Sequence, residues 1–140
     1  MIIRPAKPDE WGVLEDLQRR ASLALEEYRE ALEANPDAIA LPPDQVARGD
    51  VLVAEIDGSV AGFAALEEGE LDGLFVEPSC WRQGIGSALV AAAVNEARRR
   101  GRSLTTVVAG PSARAFYEKC GFTAESEIQT RFGPAVRMSR

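Results

Sequence analysis

The sequence contains no histidine among its 140 residues. This absence excludes Ser-His and Cys-His catalytic pairs, and it also excludes any metal site built on imidazole ligands. Proton transfer must therefore use carboxylates, tyrosine, lysine, cysteine or water. Cysteine is scarce as well, because only Cys80 and Cys120 are present, and their spacing suggests neither a metal site nor a disulfide framework. We expect two free thiols and no bound metal.

Long apolar runs are also missing. No segment approaches the roughly 18 residues that span a membrane, and the start, MIIRPAKPDEWG, lacks the basic-then-apolar order of a secretion signal. The formal net charge of -6 argues against nucleic acid as a partner. We expect a cytoplasmic protein with no membrane or nucleic-acid partner, folded as a single domain over residues 1–140.

Local patterns predict the order strand, two helices, three strands, helix, strand, helix, two strands. The apolar runs Val51–Ile56 and Val60–Leu66 flank Asp57-Gly58, which is a strong hairpin signal. The other predicted strands are Ile2–Arg4, Leu71–Val76, Leu104–Ala109, a strand beginning at Phe122, and Ala135–Met138. The fold class is α/β (α+β by some conventions), with a mixed, mostly antiparallel central sheet of about seven strands flanked by about four helices.

The predicted helices follow from apolar periodicity and from their terminal residues. The first begins near Asp9, and the second runs from about Leu23 to Ala34. The long third helix runs from about Gly84 to Arg100, and the last has Pro111 at its first position. One short helical turn is expected in the loop from Pro36 to Gly49.

Two glycines, Gly84 and Gly86, stand where the long helix begins, in the stretch WRQGIGSAL. One interpretation is that they only allow a tight turn. The other is that they let a phosphate or pyrophosphate approach the free amide groups of the helix N-terminus. The stretch matches neither the Walker A pattern nor the dinucleotide fingerprint. Coenzyme A is then the obvious pyrophosphate-bearing ligand.

Two motifs together, FVEPSCWRQGIGSAL and SARAFYEKCGF, resemble those of the GNAT superfamily of acyl-CoA-dependent N-acyltransferases. The resemblance implies acetyl-CoA as cosubstrate and an amine-bearing small molecule or peptide as acceptor. The sequence differs from the family pattern at Trp81, where Gln or Arg is usual, and at Gly110, where Asn is frequent. Trp81 is expected to pack against the ligand or to anchor the loop. The implied cofactor-binding residues are Leu74, Phe75, Val76, Arg82, Gln83, Gly84, Ile85, Gly86, Ser87 and Tyr117.

The resemblance also implies roles in catalysis. Tyr117 resembles the family tyrosine that acts as general acid beside the sulfur; a tyrosine packed in the core is the alternative. The backbone N–H of Leu74 or Phe75 is the expected oxyanion donor. Glu70 and Asp72 are candidate general bases, although carboxylates beside a turn are usually only solvated.

The acceptor is not readable from the sequence. The resemblance implies an acceptor pocket near the first two helices and the loop after them, and Ser22–Arg29 is the stretch of most interest there. Glu26, Glu27 and Glu30 could attract an ammonium group, or they could form the solvated face of an amphipathic helix. Two other functions stay open at this point. One is a catalytically weak or inactive acyl-CoA-binding or regulatory module of the same fold, and the other is a structural or partner-binding α/β domain. Family members of this size commonly pair, so we expect a homodimer.

Overall fold

Seven strands form one mixed sheet in the computed structural model, which describes residues 1–140. The strands are β1 (Ile2–Pro5), β2 (Val51–Ile56), β3 (Ser59–Glu67), β4 (Glu70–Val76), β5 (Thr106–Ala109), β6 (Thr123–Thr130) and β7 (Gly133–Ser139). Their order across the sheet is β1-β2-β3-β4-β5-β7-β6. Only β4 and β5 run parallel, and the other neighbours are antiparallel. The predicted mixed, mostly antiparallel sheet is confirmed.

Five helices accompany the sheet: α1 (Trp11–Leu23), α2 (Glu26–Ala34), α3 (Pro43–Ala47), α4 (Ile85–Arg99) and α5 (Arg114–Lys119). The predicted element order is confirmed, and α3 is the short turn expected in the loop before β2. Two predicted helix starts were wrong. The second helix begins at Glu26 because Leu25 has an extended backbone (φ -88°, ψ 113°). The last begins at Arg114, since Pro111 belongs to a turn that the Ala113 N–H closes on Gly110 O.

The apolar side chains pack on both faces of the sheet. On one face, Leu89 and Val94 of α4 belong to a cluster of 17 buried residues that also includes Leu71 of β4. On the other face, Leu14 and Leu17 of α1 belong to a cluster of nine buried residues. Each fully buried side chain of this size stabilises the fold by about 1.5–3 kcal/mol. The two helices therefore hold the sheet from opposite sides. No helix is both long and apolar enough to cross a bilayer.

Strands β4 and β5 separate after a short stretch of pairing. They are paired only at Glu70 with Thr106 and at Leu71 with Val107. Strand β4 contains an extra residue, Asp72, because Leu71 lies opposite Leu66 whereas Gly73 lies opposite Ala65. Such a bulge bends the strand and increases its twist. A slot therefore opens between the last residues of β4 and the end of β5, and we call it the β4–β5 slot.

Candidate active site

The two glycines of the loop before α4 have different structural reasons. Gly84 caps the helix in the left-handed region (φ 82°), which side chains rarely adopt, and a Cβ there would meet nothing within 4 Å. Gly86 lies inside the helix, and a Cβ there would lie 3.1 Å from the ring of Phe116 on α5. Gly84 therefore turns the chain, and Gly86 lets α4 approach α5. The outer side of Gly84 is open.

The loop also leaves a row of amide groups without partners. The first helical hydrogen bond runs from Ala88 N–H to Gly84 O (3.1 Å), and no acceptor is paired with the amides of residues 82–87. No side chain caps the helix. These amides stand at the positive end of the dipole of a 15-residue helix. Arg82 adopts φ 65°, which costs about 1 kcal/mol for a side chain of its kind. The loop has the features of an anion-binding site.

Trp81 anchors this loop to β4. Its indole Nε1 donates a hydrogen bond of 2.8 Å to the main-chain oxygen of Val76, and the side chain is 39% exposed. Of the two roles expected for Trp81, this hydrogen bond is the anchoring one.

The main chain of β4 presents alternate residues to the β4–β5 slot. Glu77 N–H donates to Ala61 O (2.8 Å), which fixes the register between β4 and β3. Hydrogen-bonded pairs alternate with non-hydrogen-bonded pairs in an antiparallel ladder, so Phe75 also bonds to β3. The main-chain groups of Leu74 and Val76 point the other way, into the slot. Of the two expected oxyanion donors, the register leaves the N–H of Leu74 available.

Tyr117 lies on α5 with its ring in the core. The ring is only 7% exposed and packs edge-on against Phe116 (centroids 5.0 Å apart) and Phe122 (5.7 Å). Burial raises the pKa of the Tyr117 hydroxyl well above its usual range, so at neutral pH the group is a hydrogen-bond donor. The hydroxyl has no hydrogen-bond partner within the chain. The Tyr117 hydroxyl is nevertheless partly accessible to solvent. Gln45 Oε1 is the one side-chain polar atom that is both fully buried and without a hydrogen-bond partner.

A second tyrosine, Tyr28 of α2, reaches the same region. The hydroxyl oxygen of Tyr28 occupies the space where a side chain at Gly110 would begin, 1.5 Å from an ideal Cβ. Gly110 directly follows β5. Tyr117 follows Gly110 through two short turns, because Ala113 N–H donates to Gly110 O (3.0 Å) and Tyr117 N–H donates to Ala113 O (3.1 Å). Sequence reasoning considered the stretch that contains Tyr28 without giving this side chain a role, because its partner lies 82 positions away.

The two candidate bases lie elsewhere on β4. Glu70 Oε1 is 3.8 Å from Arg137 Nη1, and Asp72 Oδ2 accepts a hydrogen bond of 3.3 Å from Gln45 Nε2. Glu70 belongs to the paired end of β4 and β5. At about 3.3 Å per residue, it is roughly 13 Å along the strand from Leu74. Ile85 of the loop end, Tyr117 and the last residues of β4, Leu74 and Val76, pack in one apolar cluster, whereas the two carboxylates lie toward the closed end of the slot.

One ion pair holds α1 against the end of β4. Arg20 of α1 donates two hydrogen bonds of 2.8 Å to the carboxylate of Glu77, which follows Val76. Arg20 holds the pKa of Glu77 below its usual range, so the pair is charged at neutral pH. Sequence reasoning missed this contact, because its two residues are 57 positions apart and neither belongs to a motif.

Comparison with known proteins agrees with this geometry. A family model described as the acetyltransferase (GNAT) family matches residues 12–122. The uncharacterized N-acetyltransferase YafP of Escherichia coli is 34% identical over 79 residues, which cover 56% of this chain and 49% of that protein. An uncharacterized N-acetyltransferase of Methanocaldococcus jannaschii is 30% identical over 91 residues, which cover 55% of this chain and 40% of that protein. The chain thus spans half or less of the length of these curated relatives.

Solved structures share the fold over nearly the whole chain. A GCN5-related N-acetyltransferase from Rhodopseudomonas palustris, described as an aminotransferase, class-II, has a TM-score of 0.81 and 25% identity, covering 99% of this chain and 94% of that one. The yncA protein of Salmonella typhimurium, solved with its cofactor acetyl-CoA, has a TM-score of 0.71 and 22% identity, covering 100% and 92%. The family match covers most of the chain, and it includes the loop before α4 and the β4–β5 slot. The chain belongs to the GNAT family of acetyltransferases.

Proposed function

We propose that this chain transfers an acetyl group from acetyl-CoA to an amine of a small molecule or peptide, by direct attack in a ternary complex. One observation carries the proposal. The partnerless amides of residues 82–87, the slot-facing main chain of Leu74 and Val76, and the hydroxyl of Tyr117 form a path from an anion site to a proton donor. An acyl-CoA has the same order of parts, with a diphosphate, an amide-bearing arm and a thioester.

Acetyl-CoA would be held mainly by the main chain. The amides of residues 82–87 suit the diphosphate, and the exposed side chains of Arg82, Gln83 and Ser87 surround them. The free main-chain groups of Leu74 and the free N–H of Val76 suit an extended amide-bearing arm that pairs like an added strand, while Val76 O is taken by the Trp81 indole. The acetyl-CoA found with yncA of Salmonella typhimurium supports the same ligand here.

The chemistry requires a neutral amine, an oxyanion donor and an acid. Attack forms the N–C bond and breaks the C–S bond. Leu74 N–H donates to the oxygen that becomes negative during attack. Tyr117 donates its proton to the departing thiolate, and the proton lost by the amine goes to water. An alkylammonium has a pKa of about 10.4, so this deprotonation is a substantial part of the barrier near neutral pH.

The position of the two carboxylates favours a second candidate function, a module that binds acyl-CoA with little or no catalysis. Glu70 and Asp72 lie toward the closed end of the slot, where Glu70 is paired with Thr106 of β5 and Asp72 accepts from Gln45. A chain with this site and no base can bind acyl-CoA without turning it over. A water chain from Glu70 or Asp72 would instead support catalysis.

Two measurements on one preparation decide between these functions. Acetyl-CoA is expected to raise the melting temperature, and release of CoA thiol is expected with at least one member of a panel of primary amines. Heat stabilisation without turnover across the panel would favour the binding module. Failure of CoA and acetyl-CoA to bind at millimolar concentration would overturn both functions and favour a purely structural domain.

The proposal also includes a homodimer and a cytoplasmic location, where acetyl-CoA is available. Strand β6 lies at the edge of the sheet, and most of its side chains are exposed, so its outer main-chain groups are open to pairing with a second copy. A solution mass equal to that of the single chain, 15.1 kDa, over the micromolar range would exclude the homodimer.

A further inference from the structure

Gly110 is a glycine because of space and not because of backbone conformation. Its φ lies outside the left-handed region that favours glycine. A Cβ at this position would lie 1.5 Å from Tyr28 Oη and 2.8 Å from Tyr28 Cζ. Real Cβ atoms essentially never come within 3.0 Å of another heavy atom of this kind. Tyr28 and Gly110 are therefore fitted to each other, and the phenol takes the volume that a side chain at position 110 would fill.

The hydroxyl of Tyr28 has no hydrogen-bond partner within the chain. Its ring is half-buried and packs edge-on against Phe132 of the turn between β6 and β7, with centroids 6.5 Å apart. Burial raises the pKa of the Tyr28 hydroxyl, so at neutral pH it carries its proton. A half-buried donor without a partner is costly unless water or a ligand accepts from it. Contact with Phe132 explains why the ring is there, but it does not explain the position of the hydroxyl.

The hydroxyl lies on the β5 wall of the β4–β5 slot. Gly110 is the first residue after β5, and β5 has no strand partner on its β4 side beyond Val107. Tyr117 follows Gly110 through two short turns, in which Ala113 N–H donates to Gly110 O and Tyr117 N–H donates to Ala113 O (3.0 and 3.1 Å). The slot therefore has the free main chain of Leu74 on one side and the partnerless hydroxyl of Tyr28 at the end of the other.

We propose that Tyr28 is a substrate-contacting residue whose hydroxyl donates a hydrogen bond to an amide carbonyl in the arm of the acyl-CoA, where the arm passes the end of β5. The inference rests on the proposed function. The position of the hydroxyl beside the end of β5 selects the acyl donor, because the amide-bearing arm would lie in the β4–β5 slot and its carbonyl oxygens accept from a neutral phenol. Because position 110 is a glycine, no side chain there can donate a hydrogen bond to the arm. Tyr28 of helix α2 would donate it instead.

Titration calorimetry with CoA tests this assignment. Tyr28→Phe keeps the ring and its contact with Phe132 and removes only the hydroxyl. It is expected to weaken CoA binding about three- to tenfold, as the loss of one neutral hydrogen bond does. Ser59→Ala, which removes an exposed hydroxyl at the start of β3, is the matched control and is expected to bind CoA like the wild type.

A double-variant cycle tests the contact itself. Gly110→Ala is expected to displace Tyr28 and to weaken CoA binding about as much as Tyr28→Phe does. In a Tyr28→Ala background, Gly110→Ala is expected to cause no further loss, because the two changes remove the same contact. Melting curves of all variants confirm that they are folded.

The outcomes separate this assignment from the function on which it rests. Wild-type protein that binds CoA, with Tyr28→Phe binding within about twofold of it, overturns the role of Tyr28 and leaves the proposed function standing. The same holds if Tyr28→Phe changes only the KM for the amine. Wild-type protein that does not bind CoA overturns both.

Discussion

The indole of Trp81 donates its hydrogen bond to the main-chain oxygen of Val76, so the loop before α4 is fastened to the strand that lines the slot. Val76 O is one of the groups that face the slot, and the bond fixes the loop relative to that wall. The position of the loop thus depends on Trp81, whose indole makes this one hydrogen bond.

Replacing Trp81 tests this anchor. Trp81→Phe removes the indole donor and is expected to weaken CoA binding about three- to tenfold, because one neutral hydrogen bond that orders the loop is lost. The measurement is titration calorimetry. Trp11→Phe is the matched control, since Trp11 is 37% exposed and its Nε1 also donates to a main-chain oxygen, that of Leu41 (2.6 Å), in another part of the fold. Equal losses in both variants would contradict the anchoring role.

A carboxylate at position 84 tests the anion site. Gly84→Glu and Gly84→Gln share the same backbone strain and nearly the same shape, and a Cβ there meets nothing within 4 Å. Gly84→Glu is expected to weaken CoA binding at least about 100-fold, because charge-assisted hydrogen bonds of about 1.5–3 kcal/mol each are lost or opposed. Gly84→Gln is expected to lose much less. Similar affinities for the two folded variants would argue against a diphosphate at this loop.

Removing the hydroxyl of Tyr117 separates binding from chemistry. Tyr117→Phe is expected to lower kcat about 100-fold or more while the affinity for CoA changes little, because the lost group acts as a general acid. Release of CoA thiol at saturating amine measures kcat, and titration calorimetry on the same sample measures the affinity for CoA. An unchanged kcat would return Tyr117 to a purely structural role.

The pH dependence of turnover checks the same residue. Burial raises the pKa of Tyr117, and its protonated form is the active one. Loss of activity through Tyr117 ionisation is therefore expected only above about pH 10, the ordinary tyrosine value. A descending limb that is centred below pH 9, present in the wild type and absent from Tyr117→Phe, would contradict the assignment.

Acid stability tests the packing that supports α1. Arg4 of β1 donates two hydrogen bonds, of 2.9 and 2.8 Å, to Glu10 and lowers the pKa of that carboxyl from 4.5 to about 2. A lowered pKa gives stability that is complete above pH 4.5 and is lost as the pH falls toward 2. Glu10→Gln is expected to cost about 1–3 kcal/mol at pH 7 and progressively less below pH 4.

Denaturant unfolding at several pH values measures this effect. Glu33→Gln is the control, because Glu33 is exposed on α2 and takes part in no ion pair. A cost of Glu10→Gln that does not depend on pH would show that the loss is one of packing and not of charge.

Local sequence signals predicted the order of the elements and the loop before α4. The Asp57-Gly58 turn adopts positive φ at both positions, which is the geometry that made this pair a hairpin signal. The helix starts at residues 26 and 114 were missed because Leu25 and Pro111 are held by loop geometry that periodicity does not encode. The contact of Tyr28 with Gly110 and the ion pair of Arg20 with Glu77 join distant positions, so they depend on the tertiary fold.

The interpretation of the glycines also changed with the structure. From the sequence, a tight turn and a close ligand were equally good reasons for Gly84 and Gly86. The structure gives each glycine a reason of its own, namely a left-handed cap and the approach of Phe116. What points to a ligand is instead the set of partnerless amides around them, which depends on where the helix begins and on the lack of a side-chain cap.

The separation of β4 from β5 arises from backbone length, because Asp72 is one residue more than β3 can match. Since the bulge is a matter of backbone length, we expect substitutions along β4 to leave the gap open. Deletion of residue 72 is expected instead to let the parallel ladder continue past Leu71 and Val107. The loss of one residue would then close a gap that substitutions leave in place.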